Sequence, residues 1–412
     1  MARPARTHDG TGNDGTGDGR TTAGGTSPPP WETSRELRDQ AYSPSLTVAD
    51  MRTYLRMYAD RSADARATLP WKEISYGDTS AQRLHFFPAA GPDAPLQVFI
   101  HGGYWQELSK EESSFAAPDF VTRGASFAAL GYGLAPAHRL DEIVAMVRNA
   151  ILWIFRHAAE LGVDPQRIFL SGSSAGAHLA AMCVMDGWLS PALRPFDVIR
   201  GACLLSGIYD LEPLRHTYVG EQIGLTAAEA ARNSPIRHVH GDAPPLIVAR
   251  GDNETAAFAA QHRQFVSSLT RAGTPVADLV VPARNHFDLP LVLGDPETPL
   301  GRAVLTQMGL LSPPRKSGAR GRIWPVSAVS ARCALRSIHV VRSESLVPVP
   351  VGGMVRRSRL VAPLMALLSL DVLRTAVRMI QIAIRSKILN GKLEDLVRSS
   401  SPVRLSGCWQ GI

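Results

Sequence analysis

A buried strand that runs into Gly172-Ser173-Ser174-Ala175-Gly176 and straight out into a helix leaves this chain few folds to choose from. Residues 167–170 read as the strand and residues 175–186 as the helix, so the glycines fall in the reversal between them. In that context G-x-S-x-G is a nucleophile elbow, a turn sharp enough to lift the Ser174 hydroxyl above its strand. Alternation continues on both sides. Residues 96–100, 201–205, 245–249 and 276–281 are short apolar runs of strand length, and residues 256–270 form a helix. Residues 139–161 place Ile143, Val147, Ile151 and Ile154 on one helical face, and Asp164-Pro165 then turns the chain. Strands separated by helices predict an α/β fold with a mostly parallel central sheet and helices on both faces.

Composition sets the boundaries. The 412 residues are 45% hydrophobic and 20% charged, enough to bury one large core and to exclude wholesale disorder or a fibre. Residues 1–30, rich in Gly, Asp and Thr, predict a disordered arm; 31–311 the domain; 312–412 a basic extension, partly helical or disordered, with 301–311 a helix that closes the sheet. The net charge of +7 is unevenly held: residues 313–412 carry 17 basic against 4 acidic side chains, leaving 27 against 33 for the rest. The body is acidic, so the overall charge is no sign that it binds nucleic acid. Contact of the basic tail with nucleic acid or an anionic membrane is a weaker expectation than a solvated extension. Four scattered cysteines (183, 203, 333 and 408) fit neither a disulfide framework nor a paired zinc site and point to a reduced, cytoplasmic setting. The start, MARPARTHDG, lacks the apolar stretch of a signal peptide, and the longest apolar run, 360–370, is about half a bilayer span.

A nucleophilic serine needs a base, an acid to orient the base, and donors for the oxygen that becomes charged. His101-Gly102-Gly103-Tyr104-Trp105 follows the strand at 96–100, where Gly102 and Gly103 offer backbone N–H groups that no Cβ obstructs, and Ala175, after the elbow serine, is a third candidate donor. His286 lies just past the last strand and is the candidate base. Two carboxylates, Asp252 and Glu254, follow the strand at 245–249; the position three residues beyond Gly251 favours Glu254, and Asp252 stays open. Tyr104, Trp105 and Tyr209 are candidates to touch a substrate, with core packing as the alternative.

The segments HGGYWQ (101–106), YGLAPAHRL (132–140), SGSSAGAHLAA (171–181), SGIYDLEPL (206–214), NSP (233–235) and GDNETAAFAAQHRQF (251–265) together resemble the metal-independent kynurenine formamidases of the α/β-hydrolase superfamily. Similarity covers about residues 35–311. It implies an α/β-hydrolase fold, a Ser174, Glu254, His286 triad, no cofactor or metal, and a small-molecule substrate, N-formyl-L-kynurenine, cleaved to L-kynurenine and formate. One departure is Ser173, where the family commonly has His. A general carboxylesterase of the same fold is the alternative among enzymes, and a non-catalytic binding scaffold the alternative outside them; a homodimer stays open. His238-Val239-His240 with Asp242 has a metal-like spacing but no further ligands clustered around it in sequence.

Overall fold

The computed structural model describes residues 34–185, 187–189 and 193–311. The expectations for the arm at 1–30 and the extension at 312–412 lie outside these residues.

Eight strands form one sheet: β1 (Lys72–Ser75), β2 (Arg83–Phe87), β3 (Ala94–Ile100), β4 (Ser126–Leu130), β5 (Val163–Ser173), β6 (Gly201–Leu205), β7 (Leu246–Asn253) and β8 (Val276–Asn285). Their order is β1-β2-β4-β3-β5-β6-β7-β8; β1 and β2 are antiparallel, and the pairings from β4 through β8 are all parallel. Parallel strands sit between two layers, so both faces of β3, β4 and β6 are buried and their sequences read as unbroken apolar runs. One core layer gathers the inward faces of helices Leu140–Arg156 and Ala175–Met185; the other packs Phe120, Phe127, Phe169 and the helix Pro299–Gln307 on the opposite face.

Helix Leu140–Arg156 starts where Glu142 reaches back to the Arg139 N–H, with Asp141 and Glu142 complementing the helix dipole. It ends before residue 161, because His157 caps it on the Trp153 carbonyl. The turn expected at Asp164-Pro165 lies inside β5 instead: Asp164 Oδ1 accepts the Gln166 N–H (2.8 Å), a local turn absorbed by a register shift against β3. Sequence periodicity also passed over helix Met51–Thr68, the β1–β2 hairpin and β4. The helix is amphipathic only weakly, burying Tyr58, Ser62 and Ala65, and so gives little apolar rhythm.

Candidate active site

The carboxyl ends of β3, β5 and β8 converge on one cavity of about 220 Å³. Ser174, directly after β5, has φ +57°, a left-handed conformation that costs a non-glycine residue about 1–2 kcal/mol. Two contacts impose it. The Ser174 N–H donates to the Leu205 carbonyl on β6 (2.8 Å), and Gly176 brings the next helix so close to β3 that a Cβ there would stand 2.0 Å from the Ile100 oxygen. The elbow therefore needs glycine at 176 and tolerates strain at 174.

Ser174 and His286 both line the cavity and are both largely buried, 6% and 5% exposed. No hydrogen bond joins them among the described residues, a looseness common before substrate enters. On its other side, His286 Nδ1–H donates to Glu254 Oε2 (3.1 Å). Glu254 Oε1 accepts the Gly251 N–H (3.1 Å) and the Ser206 hydroxyl. Burial by itself would raise the Glu254 pKa; the His286 ring and these two donors overturn that and hold it below its ordinary value. Asp252, the other carboxylate after β7, is exposed and accepts the Arg284 N–H (3.2 Å), bracing β8 rather than touching His286. The imidazole is further fixed edge-on to Phe258 (4.6 Å) and Phe287 (5.3 Å).

Gly102 and Gly103 line the same cavity. His101 Nδ1–H donates to the Gly102 carbonyl (3.0 Å), its ring stacks on Tyr132 (4.1 Å), and the Tyr132 hydroxyl donates to the His101 carbonyl (2.8 Å). Because the peptide is trans, anchoring the Gly102 oxygen turns the Gly103 N–H the opposite way. Burial pushes the His101 pKa down to about 4, keeping the ring neutral and its donor in place. Gly103, Tyr104 and Trp105 follow with φ of +89°, +49° and +60°, so the whole loop is held in conformations that only surrounding packing can enforce.

Of the three aromatic residues expected to meet substrate, only Tyr104 lines the cavity, with its hydroxyl donating to the Tyr42 carbonyl (2.5 Å). Trp105 and Tyr209 are corrected to core positions. Trp105 is fully buried, and its Nε1–H donates to His178 Nδ1 (3.2 Å), while His178 Nε2–H donates to the Asn233 carbonyl (2.6 Å). This chain links the HGGYW, AGAHL and NSP segments behind the site. Tyr209 stacks on Phe265 (4.0 Å) inside the core. Ser173 lies on the cavity wall.

What sequence reasoning missed is the apolar part of the cavity lining: Met51, Leu55 and Tyr58 from helix Met51–Thr68, with Phe99, Phe115 and Phe287. Tyr58 stacks on Phe115 (5.1 Å) and its hydroxyl donates to the Phe287 carbonyl beside His286. The available signal was Tyr54 and Tyr58, one helical turn apart; Tyr54 Oη accepts from Asn285 Nδ2 (3.1 Å). His238 Nε2–H donates to the Arg232 carbonyl (2.8 Å) and gathers no metal-like cluster with His240 and Asp242. The grouping of that kind among the described residues is Glu73, His85 and Glu111, whose two carboxylates are bridged by Lys110 (3.2 and 2.9 Å).

A left-handed serine after a parallel strand, a carboxylate-bound histidine after the last strand and a glycine loop after β3 define a hydrolase of the α/β-hydrolase fold. Comparison narrows this: the chain belongs to the kynurenine formamidase family. It is 33% identical to a kynurenine formamidase of Danio rerio over 65% of this chain and 92% of that protein, and 32% identical to one of Salmo salar over 68% and 96%. Residues 85–190 match the BD-FAE family model. A solved structure of a candidate thioesterase from Silicibacter sp. tm1040 has 29% identity and a TM-score of 0.57, covering 65% of this chain and 98% of that one. No helix among the described residues is long and apolar enough to cross a membrane.

Proposed function

We propose that this chain hydrolyses N-formyl-L-kynurenine to L-kynurenine and formate, with Ser174 as nucleophile, His286 as base and Glu254 as the acid that orients it. The observation that carries the reading is His286, buried and bonded to Glu254, on the same cavity as a strained Ser174. As the Ser174 oxygen bonds to the formyl carbon, its proton passes to His286 Nε2, and the carbonyl π pair moves to oxygen, facing the N–H groups of Gly102, Gly103 and Ala175. Collapse breaks the C–N bond, and the leaving aryl amine takes the proton from His286. Water then attacks the formyl ester and gives a proton to His286; release of formate returns that proton to Ser174.

The small cavity favours this substrate. At about 220 Å³ it lies below the roughly 300–1,000 Å³ of most ligand pockets, which suits a compact aryl formamide with only hydrogen on the acyl side. Ser173, smaller than the histidine common in the family, leaves space on that wall. A cytoplasmic setting and a machinery confined to residues 31–311 belong to the same proposal. Steady-state kinetics on N-formyl-L-kynurenine beside p-nitrophenyl esters of increasing acyl length test it. Higher kcat/KM on the formamide is expected; a clear preference for butyrate or longer esters moves the protein to the carboxylesterase reading.

A further inference from the structure

Ser206 stands in a position that neither the elbow nor the triad explains. It follows β6, the strand between those that carry the nucleophile and the acid. Like Ser174 it is buried and left-handed, with φ +49°. The two turns are built alike: Ser174 N–H donates to the Leu205 carbonyl and Ser206 N–H to the Ala249 carbonyl, each at 2.8 Å on the next strand. The Leu205 carbonyl belongs to the peptide that ends at Ser206, so the backbone angle at 206 and the seat of Ser174 are joined through one rigid plane. Glycine would occupy φ +49° without strain. What serine adds is the hydroxyl, and it donates to Glu254 Oε1.

We propose that Ser206 is a positioning residue that ties the nucleophile turn to the acid: its hydroxyl holds one oxygen of Glu254 while the carbonyl before it holds the Ser174 N–H. This rests on the triad reading above. With Oε1 occupied by Ser206 and Gly251, only Oε2 is left for His286, so the carboxylate cannot rotate away and the imidazole keeps one orientation. Removing the hydroxyl frees the carboxylate and leaves more negative charge on the oxygen facing His286, which stabilises the imidazolium.

The test compares Ser206→Gly, Ser206→Ala and Glu254→Gln in the full chain, measuring kcat, KM, the pH profile of kcat/KM and Tm. Both Ser206 variants are expected to lose on the order of tenfold or more in kcat with KM nearly unchanged, the scale on which outer hydrogen-bond partners act. Their acid limb should move to higher pH. The glycine variant, relieved of backbone strain, should keep or raise Tm, which separates positioning from folding. Wild-type kcat and pH limb in both variants, with Glu254→Gln inactive, overturn the role of Ser206 and leave the triad standing. Full activity in Ser206→Gly beside a destabilised, weak Ser206→Ala also overturns it, since only backbone fit then matters. If Glu254→Gln itself keeps full activity, the triad reading falls and takes this proposal with it.

Discussion

The cavity has two sides made by opposite means. On one, the ends of β3 and β5 hold Gly103, Tyr104 and Ser174 at positive φ, Gly103 where a Cβ would collide with the Glu107 backbone and Ser174 by its hydrogen bond to the Leu205 carbonyl. On the other, helix Met51–Thr68 lays Met51, Leu55 and Tyr58 against Phe99 and Phe115 with ordinary helical backbone. The first side spends conformational energy to place a few atoms; the second spends none and only needs apolar volume. Chemistry and fit are thus divided between a strained face and a relaxed one, and each should fail in its own way when altered.

The largest effect belongs to the strained face. Ser174→Ala removes only a hydroxyl, and kcat should fall on the order of 10⁴-fold or more with the fold intact. Retention of a tenth of the activity would sink the mechanism. A serine-directed organophosphate should label that residue and no other, as read by peptide mass.

Next in size is the choice between carboxylates. Glu254→Gln should lose on the order of 10³- to 10⁴-fold in kcat, since an amide neither fixes the imidazole tautomer nor stabilises its charge. Asp252→Asn should stay within a few fold, because its contact is the Arg284 N–H on the outside of β8. The opposite ranking would reassign the acid.

The same division decides what could be read from the chain. Gly172 to Gly176, His101 to Gly103 and His286 stood out as candidates, because each needs one residue type at one place on one strand end, while the acid stayed open between Asp252 and Glu254. Helix Met51–Thr68 was not, since many apolar residues would serve its wall and its core face is thin. Trp105 and Tyr209 were misjudged for a related reason: an aromatic beside a motif looks the same in sequence whether it faces substrate or, as here, His178 and Phe265. Apart from β4, the strands of the parallel core were found and their ends were not, as with β5, where side-chain turn chemistry at Asp164 sits within the ladder. The β1–β2 hairpin at the sheet's edge lacks a long apolar run and escaped notice.

A third expectation concerns acid. His101, on the strained face, and His178, behind it, are both buried, and burial pushes each from an ordinary 6.5 to about 4. Their folded pKa values lie below the unfolded ones, so the stability they allow is complete above pH 6.5 and is lost as pH falls toward 4. The loss is on the order of 3 kcal/mol per ring. Tm measured from pH 8 to 4 should decline through that window, and His178→Phe should flatten the decline. A Tm that stays level down to pH 4.5 would show that the rings do not couple protonation to unfolding.

The smallest effect belongs to the relaxed wall, and it should differ in kind. Leu55 is only partly buried, lines the cavity from a helix whose backbone is unstrained, and has no polar role, so Leu55→Ala should fold. It withdraws apolar surface from substrate and from transition state alike. KM on the formamide should therefore rise by roughly tenfold or less while kcat stays close to wild type, the worth of a methylene or two in an apolar pocket. The space it opens should also raise kcat/KM on esters with longer acyl chains, narrowing the preference for formyl. If Leu55→Ala instead lowers kcat and leaves KM alone, the wall is part of the catalytic machinery, and the division between a strained face for chemistry and a relaxed one for fit is wrong.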